Sequence, residues 1–109
     1  MEINRLVEDA HQTALDKGWW EPAKSFGELI ALMHSELSEA LEHYRLNKGV
    51  DEIWLDVDGK PDGVPIEIAD CVIRVADLCG YYKIDLDAAL KEKMEYNKMR
   101  SYRHGNKAL

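Results

Sequence analysis

Glu36 and Glu39 stand three residues apart, as do Glu67 and Asp70, and 27 residues separate the two pairs. On a helix that interval puts both carboxylates of a pair on one face, roughly 5–6 Å apart. A carboxylate taken out of water must be paired, protonated or bound to a metal. Arg74 is the only cation in the pattern, so protein charge alone cannot balance four acids gathered in one place. A divalent cation can. An all-oxygen donor set suits Mg²⁺, with Mn²⁺ as substitute, better than it suits zinc.

The periodicity of the surrounding residues says whether the acids face a core. Around Glu36, residues Leu29, Ile30, Met33, Leu37, Ala40, Leu41 and Tyr44 fall on one arc of a helical wheel, roughly 120° wide, with Glu36 at its edge and Glu39 just beyond. Ser35, Ser38, Glu42 and Ala31 take the opposite face. From Ile66 to Tyr82 the pattern is apolar nearly all round. Its only gap is a wedge about 80° wide holding Glu67, Asp70, Arg74 and Asp77. A helix of that kind is usually buried, so its single polar stripe should face a polar site.

The spacing predicts four helices: Ile3 to Lys17, stopped by Gly18; Phe26 to about Asn47, capped by Ser25 with Glu28 three residues on; Ile66 to about Tyr82, with Pro65 in its first turn; and Leu86 to about Arg100, capped by Asp85. Residues 49–65, GVDEIWLDVDGKPDGVP, carry turn signals throughout and predict a short hairpin or ordered loop. Asp56, Asp58 and Gly59 resemble the start of a calcium loop, but the glutamate required at its twelfth position is missing. The fold class expected is therefore all-α, a four-helix bundle with a loop insertion between the second and third helices.

Length and composition bound the rest. A chain of 109 residues, 46% apolar and 32% charged, suits one domain spanning 1–109. No apolar run could span a membrane. The N-terminal MEINRLVEDAHQ has no signal core, so a cytoplasmic protein is expected. Cys71 and Cys79, on one helix, would lie about 12 Å apart along its axis, too far for a disulfide. The net charge of −7 disfavours nucleic acid as a partner, but it is uneven. Residues 1–90 hold 8 Lys/Arg against 19 Asp/Glu, whereas 91–109 hold 6 against 2, with a basic tail at 101–109. An acidic body could take a metal cation and a basic end phosphates, or the two ends could attract each other.

Glu36-x-x-Glu39, 27 residues and Glu67-x-x-Asp70, together with the later KMEYNKMR, resemble the MazG-like all-α nucleoside triphosphate pyrophosphohydrolases from Trp19 to about Tyr102. The resemblance implies Mg²⁺-dependent hydrolysis of a (deoxy)nucleoside triphosphate to the monophosphate and pyrophosphate, as in nucleotide-pool housecleaning. All four carboxylates would bind metal, and Glu36 or Glu39 would accept the proton of the attacking water. Lys93, Asn97 and Arg100 share one face of the fourth helix and would meet phosphate. Trp19 and Trp20 stand where relatives recruit an aromatic for the nucleobase. Arg74, uncharged in some relatives, would pair with Asp77, contact phosphate, or both. Relatives are dimers or tetramers, and an almost wholly apolar third helix gives this chain surface to hide, so a homodimer or homotetramer is expected.

Two other readings compete. A di-iron carboxylate bundle needs two Glu-x-x-His motifs, and only Glu8 and His11 fit. A non-enzymatic helical interaction module could hold a structural metal with the same acids. His11, His34, His43 and His104 read as structural histidines, His43 alone falling near the glutamate face.

Overall fold

The structure is a computed structural model and describes residues 2–100; the basic tail at 101–109 lies outside the described residues. Four helices and one small hairpin make up the fold: α1 (Ile3–Asp16), α2 (Phe26–Arg45), β1 (Trp54–Leu55), β2 (Pro61–Asp62), α3 (Val64–Tyr82) and α4 (Leu86–Met99). Among the described residues no helix is long and apolar enough to cross a membrane.

The helix ends follow from their local chemistry. Gly18, at φ 75°, turns the chain out of α1. Its N–H reaches Leu15 O at 3.1 Å and that of Trp19 reaches Ala14 O at 3.0 Å, which satisfies the last carbonyls and fixes where the two tryptophans begin. Ser25 Oγ accepts from the Glu28 N–H at 3.1 Å and starts α2; among the described residues only this half of the expected capping box forms. α2 stops at Arg45 because Asn47 takes a left-handed conformation, with Lys48 N–H bonded to His43 O. α3 begins two residues earlier than the apolar pattern predicts, since Gly63 at φ 127° caps it and Pro65 fits the first turn.

α3 is the middle of the molecule. It packs on α1 along one side and α2 along another, with a core of Val7, Ala76, Leu78 and Cys79 backed by Leu29, Ile30, Met33 and Val75. The α1–α3 crossing is close: a Cβ on Gly80 would fall 2.5 Å from His11 Cβ. Both cysteines lie free on α3.

Two expectations need correction. α3 is not buried all round, because α1 and α2 cover only part of its circumference; Ile68 and Val72 remain 48% and 47% exposed. α4 is not a full member of a bundle. Its only substantial packing partner is α1, and none of its residues is buried. Asp85 Oδ1, which caps it by accepting from Ala88 N–H at 3.0 Å, also accepts from the Asn4 amide, so its start is held beside α1 while its body projects. The radius of gyration reflects this: 16.6 Å, against about 13 Å for a compact chain of this length.

Candidate metal centre

Helix spacing turns the polar stripe of α3 toward its two neighbours in turn. Its first half, Glu67, Asp70 and Arg74, meets α2; its last member, Asp77, meets α1 and the linker after it. The two halves are finished differently.

At the Asp77 end the carboxylate has two partners from within the chain. Asp77 Oδ1 accepts from the Trp20 indole Nε1–H at 3.0 Å and meets His11 Nδ1 at 2.8 Å. Trp20 stacks on Tyr81 with centroids 3.9 Å apart and meets His11 edge-on. Only 8% exposed, this tryptophan anchors the linker on the helices and has a covered face where base stacking would need an open one. Trp19, at 53% exposure, keeps its face open, and the Arg74 guanidinium sits 5.8 Å from its ring centre. Cavities of about 240 Å³ and about 320 Å³ open beside it, each lined by Trp19, Arg74 and Asp77 among others. The expected Arg74–Asp77 contact is not formed: Asp77 is committed to Trp20 and His11, and Arg74 turns to α2.

At the other end the acids converge. Glu36, Glu67 and Asp70 each offer an oxygen within 4.8 Å of the others. Glu36 and Glu67 are both 7% exposed, and Asp70 is half-buried. Arg74 Nε donates to Glu36 Oε1 at 2.9 Å, so one of the four charges is balanced from within the chain. Glu67 has no such relief. Its Oε2 is buried and no donor reaches it among the described residues. Burial, then hydrogen bonding and repulsion from Glu39, then repulsion from Glu36 and Asp62, push its pKa from the ordinary 4.5 up to about 8. Glu39, itself exposed, therefore belongs to the cluster through Glu67.

The hairpin adds Asp62, which the helical pattern does not reveal, and brings it to His43 of α2. β1 and β2 pair antiparallel with Trp54 opposite Asp62, and Asp62 Oδ1 meets His43 Nε2 of α2 at 2.9 Å. Trp54 holds the His43 ring edge-on at 5.0 Å. Asp62 Oδ1 also accepts from the Gly63 N–H at 2.8 Å, and this bond, with smaller help from His43, holds its pKa below the usual carboxylate range. At the hairpin tip, Asp56 Oδ1 accepts from the Asp58 and Lys60 N–H groups and shapes the turn, the task that the calcium-like spacing serves here.

Lys93, Asn97 and Arg100 do not join this cluster within one chain, since α4 has no substantial contact with α2 or α3. Lys93 and Arg100 instead lie 4.8 Å and 5.7 Å from the ring centre of Tyr96 on their own helix. His43 and Asp62 are the site residues that the spacing missed. The only signal for them was the wheel position of His43. Comparison with family models, with curated proteins and with solved structures gives no match for this chain.

Proposed function

We propose that this chain is a Mg²⁺-dependent nucleoside triphosphate pyrophosphohydrolase of the MazG-like all-α type, releasing pyrophosphate and a monophosphate from surplus or noncanonical nucleotides. One observation carries the reading: a buried Glu67 oxygen without a donor, in a cluster of acids on two packed helices. Such a group is too costly to keep for packing alone, and a divalent cation removes the cost. The donors are all oxygens, which fits Mg²⁺ or Mn²⁺.

Glu36, Glu67 and Asp70 would hold the metal with Glu39 at the open edge. When bound, Mg²⁺ supplies charge neutralisation to the phosphate oxygens and polarises water. Glu36 is tied to Arg74, so the solvent-facing Glu39 is the better placed of the two to accept the water's proton. Arg74 fixes Glu36 in position, and its guanidinium spans toward Trp19, whose open face would stack on the base. Trp20 drops out of the base-binding set as an anchor.

Because α4 has no substantial contact with α2 or α3, Lys93, Asn97 and Arg100 would serve the phosphates of a site on a second copy. Exposed Leu37, Leu41 and Tyr44 of α2 with Ile68 and Val72 of α3 offer that copy an apolar face. A homodimer or homotetramer follows. The di-iron alternative is disfavoured because its one Glu-x-x-His pair, Glu8 and His11, lies on α1, away from the acids grouped on α2 and α3.

A panel of ribo- and deoxyribonucleoside triphosphates with Mg²⁺ or Mn²⁺, scored separately for pyrophosphate and orthophosphate, tests the reading. Metal-dependent pyrophosphate release is expected. Orthophosphate alone, or no turnover of any nucleotide, would overturn it.

A further inference from the structure

Glu67 belongs to two groups of donors. Besides its set with Glu36 and Asp70, it forms a second with His43 and Asp62, again with one donor atom from each within 4.8 Å of the others. We propose that His43, Asp62 and Glu67 form a second divalent-cation site, selective for a borderline transition metal of the Zn²⁺ or Co²⁺ kind rather than for Mg²⁺. This rests on geometry and stands whether or not the chain hydrolyses nucleotides.

The chemistry differs from that of the neighbouring set by one atom type. An imidazole nitrogen with two carboxylates is a donor combination that zinc and cobalt take readily and that magnesium does not favour. Three elements hold the donors in place. His43 is braced on α2 by the edge of Trp54. Asp62 sits at the end of β2, opposite Trp54 in the hairpin register, and is tethered to the Gly63 N–H. Glu67 lies one turn into α3, its own N–H bonded to Gly63 O at 3.0 Å.

The second observation is Glu67 itself. Its side chain is buried, it is shared by both groups, and its Oε2 has no donor. Glu36 and Asp70 of the first group and His43 and Asp62 of the second would share this one carboxylate, so a second ion would have Glu67 as a common ligand. His43 Nε2 and Asp62 Oδ1, 2.9 Å apart, are already at the separation of neighbouring ligands on one ion. In the metal-free chain the His43 Nε2–H donates to Asp62, and holding an ion would require the neutral tautomer that carries its proton on Nδ1.

The test uses the full chain with saturating Mg²⁺ present throughout. Zn²⁺ is titrated by calorimetry, and the imidazole nitrogens are followed by NMR. One equivalent of Zn²⁺ should bind and move the His43 Nε2 resonance while leaving those of His11 and His34 in place. His43→Gln and the near-isosteric Asp62→Asn should each weaken Zn²⁺ binding by more than about 100-fold, beyond the 10–100-fold typical of outer-shell partners. His34→Gln, which alters an exposed histidine outside both groups, should bind Zn²⁺ like the native chain. The NMR readout on the native protein does not depend on how any variant folds. An unmoved His43 resonance, or Zn²⁺ binding that survives both His43→Gln and Asp62→Asn, would overturn the proposal.

Discussion

The two ends of the α3 polar stripe hold the same kind of residue and treat it oppositely. Asp77 is buried with a donor from Trp20 and a contact from His11, and Trp20 is itself stacked on Tyr81. Glu67 is buried with an oxygen that nothing in the described chain satisfies, and Glu36, Glu39, Asp62 and Asp70 crowd it. Satisfied polar groups fix a structure, whereas an unsatisfied one stores a cost that only a ligand or a proton removes. One end of the helix is satisfied from within the chain; the other, on the proposed reading, is completed by a metal ion.

The comparison breaks most readily at the binding end. Glu36→Gln or Asp70→Asn should lower nucleotide turnover by more than about 100-fold, as loss of a metal ligand exceeds loss of an outer-shell partner, with the far-UV circular dichroism unchanged. Full activity in either variant would remove the metal centre from the reaction. The pH dependence comes next. Glu67 in the metal-free chain titrates at about 8 rather than at 4.5, so from pH 4.5 to 8 the folded form keeps a proton that the unfolded chain has lost. Its contribution to stability is whole below pH 4.5 and drains away as pH climbs through 8. Chelated protein should therefore melt several degrees lower at pH 8 than at pH 5. Added Mg²⁺ should restore most of that loss at pH 8 and bind more weakly at pH 6, where it must displace the proton.

At the structural end, Asp77→Ala should cost about 2–4 kcal/mol in urea titration, since it strips the acceptor from a buried indole N–H and the partner from His11. Metal affinity in that variant should stay within twofold of native. A large change there would mean that the two ends are coupled and the contrast is too sharply drawn. Glu67→Gln should do the reverse. Above pH 8 it exchanges a repelled carboxylate for an amide that can donate to its acidic neighbours, raising the stability of the metal-free chain by about 1–2 kcal/mol there while abolishing metal binding. Trp19→Ala should move stability by less than about 0.5 kcal/mol, as exposed positions do, and any effect should show in KM rather than in kcat.

Much of this was legible in the residue pattern, and what was not has a physical reason. The helices and their caps follow from local spacing, so Ser25, Pro65 and Asp85 mark their starts correctly. The convergence of Glu36, Glu67 and Asp70 was readable because each acid interrupts an apolar arc, and two such arcs must meet. Which partner a polar residue finds across helices was not. Arg74 bonds to Glu36 and Asp77 to Trp20, choices set by how α2 and the linker dock on α3. Asp62 was invisible because two-residue strands leave no periodicity, and only the fold of the hairpin brings it to His43. The amphipathic stripe of α4 showed that a face exists without showing what it would lie against; among the described residues α1 is its one substantial neighbour.

Gly63 stands between Asp62 and Glu67 at φ 127°, where an added Cβ would run into the Glu52 carbonyl. The five-residue step from one acid to the other is thus set by backbone that cannot be rebuilt with another side chain. The root of the hairpin is rigid in length, and one inserted residue there would rotate the first turn of α3 by about 100° and carry Glu67 out of reach. The tip around Asp58 and Gly59 has no such duty. Extra residues spliced in at the tip should be carried without harm, and a reporter peptide placed there would ride beside the metal centre without disturbing it.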